Sequence, residues 1–204
     1  MIELDRGEFL RLGAGGLIVA AAGGLVPATA GAQVPVPTPK DDDISFLTFA
    51  TTAERASRDI YRAAYKQAGA GFTASERRHL NKVASAKRAH IMRIDAALGA
   101  DAPLTSDFQT VLPKGAVRTK AKALALAARL ETLLVRVYLN GIGYAEDGAT
   151  RLFMGRLMAY DTESLAWLNL KADKQVPSGL LSPIDLEPAG DALDAYLSTP
   201  DDPN

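Results

Sequence analysis

The chain has 204 residues, 23 of them basic and 24 acidic, and contains no cysteine. That length allows one domain with a real core. The missing cysteines exclude disulfides, zinc fingers and thiol nucleophiles, and a net charge of −1 gives no electrostatic case for nucleic acid.

Residues 1–32 read as an export signal. A short polar start, MIELDRGEFLR, leads into the glycine-rich apolar run LGAGGLIVAAAGGLV, which is short for a membrane span. Ala30-Gly31-Ala32 fits a small-residue cleavage site. The stretch Arg6-Gly7-Glu8-Phe9-Leu10-Arg11 resembles a twin-arginine pattern in which Gly7 stands for the second arginine. Cleavage would remove Arg6, Arg11, Glu3, Asp5 and Glu8, leaving equal numbers of basic and acidic residues and no stable membrane span. The mature protein is then expected outside the cytoplasm, periplasmic or extracellular. An uncleaved start would instead make a membrane-anchored interaction module.

Residues 33–42, QVPVPTPKDD, read as an extended proline-rich linker. A first helix is expected from about Asp42 or Asp43, with Leu47, Ala50, Glu54, Ser57, Tyr61 and Ala64 on one face. It stops at Gly69-Ala70-Gly71. The second starts at Thr73, where Glu76 completes a capping-box pattern. Its stripe is Leu80, Ala84, Lys87, Ile91, Ile94 and Leu98. A long connection with Pro103 and Pro113 follows. The third helix is expected over 116–145, striped by Leu124, Ala128, Glu131, Val135, Tyr138 and Ile142, with Gly141 and Gly143 weakening its last turns. The fourth is expected over 149–172, striped by Met154, Leu157, Asp161, Ser164, Leu168 and Lys171. The tail 173–204 holds one short helix at DALDAYLS, and no strand pattern competes. The sequence therefore predicts an all-α four-helix bundle over 43–172, two hairpins joined by one long crossover.

Glu54, Lys87, Glu131 and Asp161 all fall near the midpoints of their helices. In an antiparallel bundle they meet at one height, together with His90 and Ser164. Unpaired buried charge costs several kcal/mol as an order of magnitude, so this layer must be paired, protonated or metal-bound. Tyr61 and Tyr138 each follow a glutamate by seven residues, an echo between the two hairpins; both read first as core aromatics. His79 reads as exposed, Trp167 as a packing residue, and His90 as a hydrogen-bonded core histidine.

Three phrases carry a resemblance: AKRAHIMRIDAALG, LETLLVRVYLNG and DTESLAWL. They are similar to segments of the exported ferritin-like proteins of bacteria, the family that includes the desiccation-related proteins, over roughly residues 43–198. The resemblance implies a ferritin-like bundle. Ferritin-like di-metal sites take one glutamate from each of two helices and Glu-x-x-His from each of the other two. By that resemblance Glu54 and Glu131 match the single glutamates and His90 matches the first histidine. Lys87 stands where its glutamate belongs, Asp161 stands for the second glutamate, and Ser164 for the second histidine.

Two functions follow as expectations. In the first, the di-metal centre has degenerated to a buried salt-bridge layer, with no cofactor and no catalytic residue. The role is then structural, stress-protective or partner-binding. Lys87 is expected within salt-bridge reach of at least two carboxylates. In the second, Glu54, His90, Glu131 and Asp161 hold iron or manganese, a donor set that suits either, and the protein oxidises or handles iron. The sequence leaves open enzymatic activity, and a monomer against a homo-oligomer.

Overall fold

The computed structural model describes residues 36–67, 71–174 and 181–198. The expected export signal lies outside them. Helix α1 spans Asp41–Lys66, α2 Ala74–Leu98, α3 Lys120–Tyr144, α4 Gly148–Lys171 and α5 Leu186–Asp194. No helix among the described residues is long and apolar enough to cross a membrane.

Local sequence fixes the helix starts. Thr73 and Glu76 form the expected capping box, each side chain taking a backbone N–H of the other. Thr119 caps α3 and Asp147 caps α4 through their side-chain oxygens. Three starts and one end differ from expectation: the short tail helix stops at Asp194, and Leu197–Ser198, expected helical, form a strand. Helix α1 begins at Asp41, inside the expected linker. Helix α3 begins four residues late, because 113–118 turn at Gly115, whose φ of 75° no side chain favours. Helix α5 begins well before Asp191, since Pro188 sits in its first turn, where a missing N–H costs nothing.

The bundle is two antiparallel hairpins. Helices α1 and α2 are tied by Asp95, which takes Thr51 at 2.7 Å and Arg55 at 3.0 Å. Helix α3 runs antiparallel to α1, since Lys40 before α1 reaches Glu146 beyond α3. Lys120 at the start of α3 pairs with Glu76 at the start of α2, 2.6 Å apart. The crossover 99–119 must therefore traverse the bundle's length. It runs along α1, where Leu104 O accepts from Arg55 and Asp59 accepts from Thr110. Here the structure adds strands the sequence did not predict: β1, Gln109–Thr110, pairs antiparallel with β2, Leu197–Ser198. The chain after α4 is pinned by Arg136 and Asn140 of α3, which donate to Ser182 O and Asp185.

The apolar stripes close into one core around Leu47, Ile60, Leu80, Ile94, Leu134 and Leu168, all buried. A Cβ at Gly141 would stand 2.7 Å from Met154 Sδ and 3.2 Å from Phe46. The glycine that weakens the helix on paper thus leaves room for the side chains of Met154 and Phe46. His79, expected exposed, is part-buried and stacks on Trp167 of α4 at 4.0 Å between ring centroids.

Candidate functional site

At mid-height the core is polar. Glu54 of α1, Lys87 of α2, Glu131 of α3 and Asp161 of α4 are each 0 % exposed. The Lys87 ammonium stands at their centre, 2.6 Å from Asp161 Oδ1, 3.0 Å from Glu131 Oε2 and 3.1 Å from Glu54 Oε2. The ammonium donates to Glu131 and to Asp161, while Glu54 Oε2 is within ion-pair reach but receives no hydrogen bond from the described residues.

The remaining oxygens are mostly held. Ser57 donates to Glu131 Oε1 at 2.8 Å, and Tyr138 donates to Glu54 Oε1 at 3.0 Å. His90 Nδ1 lies 3.3 Å from the same Glu54 oxygen, and its ring meets Tyr160 edge-on. Asp161 Oδ2 is buried without a hydrogen-bond partner among the described residues. Ser164 is buried on α4, one turn from Asp161. The two tyrosines work across the bundle. Tyr138 serves Glu54 of the other hairpin, while Tyr61 lies close enough to Glu131 and Asp161 for their charges, added to burial, to push its phenol well up.

One cation among three carboxylates sets the protonation. Burial alone would raise Glu54, but Lys87 and His90 outweigh it and hold the carboxyl at about 2. Burial alone would lower Lys87, but Asp161, Glu131 and Glu54 outweigh it and hold the ammonium above its ordinary value. Asp161 goes the other way: burial, then the charge of Glu54, pushes it well above the ordinary range against the pull of Lys87. Glu131 is also raised, chiefly by burial. Asp161 and Glu131 therefore give up their protons less readily than ordinary carboxyls, while Glu54 gives its up more readily.

Sequence reasoning named all of the charged members of this layer. It passed over Ser57 and Tyr160 as partners. The signal for Ser57 was its place one turn after Glu54 on the same stripe.

A family model described as a ferritin-like domain matches residues 42–171. The chain belongs to the ferritin-like domain family. No curated protein and no solved structure matches it. The ferritin-like layer offers donors to a metal in one place: Glu54, His90 and Asp161 each bring a ligand atom within 4.8 Å of the others. Glu131, the fourth residue of the expected set, lies outside that group, with its oxygens accepting from Ser57 and Lys87. Lys87 and Ser164 stand where the resemblance implies a glutamate and a histidine, and the Lys87 ammonium lies among the carboxylates of Glu54, Glu131 and Asp161, an arrangement that does not suit a pair of metal ions.

Proposed function

We propose that this is an exported ferritin-like protein in which a lysine has taken over the charge role of the metal. The ammonium of Lys87, buried and in contact with Glu54, Glu131 and Asp161, carries this reading. A ferritin-like metal centre neutralises buried carboxylates and knits four helices together. An ammonium does both without redox chemistry, so the protein acts as a non-catalytic bundle. Its role then lies in structure, stress protection or partner binding through its surface. Export is supported by the apolar, glycine-rich segment before Ala30-Gly31-Ala32.

The test is metal content by elemental mass spectrometry on protein purified without chelators, repeated after anaerobic loading with iron and with manganese. The expected result is far less than one metal ion per chain in every sample. A stoichiometric ion lost on Glu54→Ala would overturn the proposal. That outcome would favour the second reading, a mononuclear iron or manganese site. The convergence of Glu54, His90 and Asp161 supports it, as does the partial exposure of His90, which gives the layer a way to solvent.

A further inference from the structure

The solvent face of α3 carries cations alone. From Pro113 to Tyr144 the basic residues are Lys114, Arg118, Lys120, Lys122, Arg129 and Arg136, and the one acidic residue, Glu131, is buried in the core. A near-neutral total charge hides this asymmetry.

Lys122, Arg129 and Arg136 recur every seven residues. Seven residues are close to two turns, so these cations line up about 10 Å apart. A cavity opens between each neighbouring pair. The first, of about 230 Å³, lies between Lys122 and Arg129 over Ala125 and Leu126, with Lys114 on its rim. The second, of about 240 Å³, lies between Arg129 and Arg136 over Leu130 and Leu133, with Ile184 opposite. Arg129 and Tyr196 border both, so the two form one groove. Among the described residues, no carboxylate lines either cavity. Arg136 spends one N–H on Ser182 O, while Lys114, Lys122 and Arg129 have no ion-pair partner among the described residues.

We propose that this groove binds an acidic amphipathic helix of another protein. The alternation of cation, apolar pocket, cation, apolar pocket, cation matches a helix with carboxylates two turns apart and apolar side chains between them. A nucleic acid or polyphosphate fits less well: its charges are denser than this spacing, and it has no aliphatic group for the pockets over Leu126 and Leu133. Tyr196, half-buried between the pockets, is the kind of rigid amphipathic side chain that anchors such contacts. The groove lies on the outside of α3 and does not depend on how the buried layer is read.

The test uses the full chain and a synthetic fluorescent peptide with glutamate at every seventh position and leucines in between. A copy with lysine for glutamate is the control. Fluorescence anisotropy should show saturable binding of the acidic peptide, weakening as salt is raised, and none of the copy. Arg129→Glu should weaken binding about tenfold or more with the melting temperature unchanged. Arg156→Glu, on the exposed face of α4, should leave binding as it was. The proposal is overturned by no binding, by equal binding of the two peptides, by an undiminished Arg129→Glu, or by single-stranded DNA or polyphosphate binding more tightly than the acidic peptide.

Discussion

The Lys87 ammonium lies 2.6 Å from Asp161 Oδ1, the shortest of its three contacts, yet burial and the charge of Glu54 push the Asp161 carboxyl well above its ordinary range. The contact is therefore shortest to a partner that holds a proton more readily than an ordinary aspartate. Glu54, 3.1 Å away, is the carboxyl held most firmly in its charged form, with Tyr138 and His90 beside it. Around the Lys87–Glu54 pair stand two carboxyls whose affinity for protons is raised, and several consequences can be measured.

Lys87→Met should be severely destabilising at pH 7. Removing one partner of a buried pair costs about 3–5 kcal/mol, here because Glu54 stays charged with no cation beside it. Without Lys87 the Glu54 carboxyl rises under burial, so acid can neutralise it. Urea denaturation of both proteins at pH 7 and pH 4 should show a clearly smaller difference in acid.

Asp161→Asn should cost far less, about 1 kcal/mol. The amide keeps an oxygen for Lys87 and places its nitrogen where Oδ2 already lacks a partner. A loss as large as that of Lys87→Met would mean that Asp161 is ionised.

The pH dependence has two opposing limbs. Glu54 falls from 4.5 to about 2 on folding, so its contribution is present above pH 4.5 and lost as pH falls toward 2. Asp161 and Glu131 are raised, so their terms are most favourable below their unfolded values of 3.8 and 4.5 and decline as pH rises above them. Lys87 is raised too, so its contribution is complete below 10.5 and is lost only in alkali beyond that. In the wild type the two acid limbs partly cancel. In Glu131→Gln/Asp161→Asn only the Lys87–Glu54 pair remains, and stability should fall steadily from pH 4.5 to 2.

Gly141→Ala should destabilise by about 1–3 kcal/mol, although alanine is the better helix former by about 1 kcal/mol. The cause is the approach of Met154 and Phe46. A rise in melting temperature would show that both side chains can move aside.

Lys87→Glu/Ser164→His should convert the layer into a metal site. It supplies Glu-x-x-His on α2 and Asp-x-x-His on α4 facing Glu54 and Glu131. The metal-free variant should melt well below wild type, since it buries another carboxylate without a cation. Iron(II) or manganese(II) should raise its melting temperature by mass action and leave the wild type unmoved. Calorimetric scans with and without metal would show this.

The bundle was legible because apolar stripes at helical spacing are local. The layer was legible for the same reason: Glu54, Lys87, Glu131 and Asp161 interrupt those stripes at mid-helix. What was not legible depends on distant partners. The stack of His79 on Trp167 joins residues far apart in the chain, and nothing near His79 signals it. The two strands are two residues each, too short for a period. The groove of α3 escaped because net charge averages over faces, although the seven-residue spacing of Lys122, Arg129 and Arg136 was there to be read. The crossing of Tyr138 to Glu54 needed the register between α1 and α3.

The most direct measurement is a crystal soaked anaerobically in iron(II), with diffraction recorded at the iron absorption edge. The expected result is no anomalous peak in the layer, and density for the Lys87 ammonium between Glu54, Glu131 and Asp161. An iron peak bounded by Glu54, His90 and Asp161, with Lys87 displaced from the carboxylates, would contradict a lysine in the metal's place.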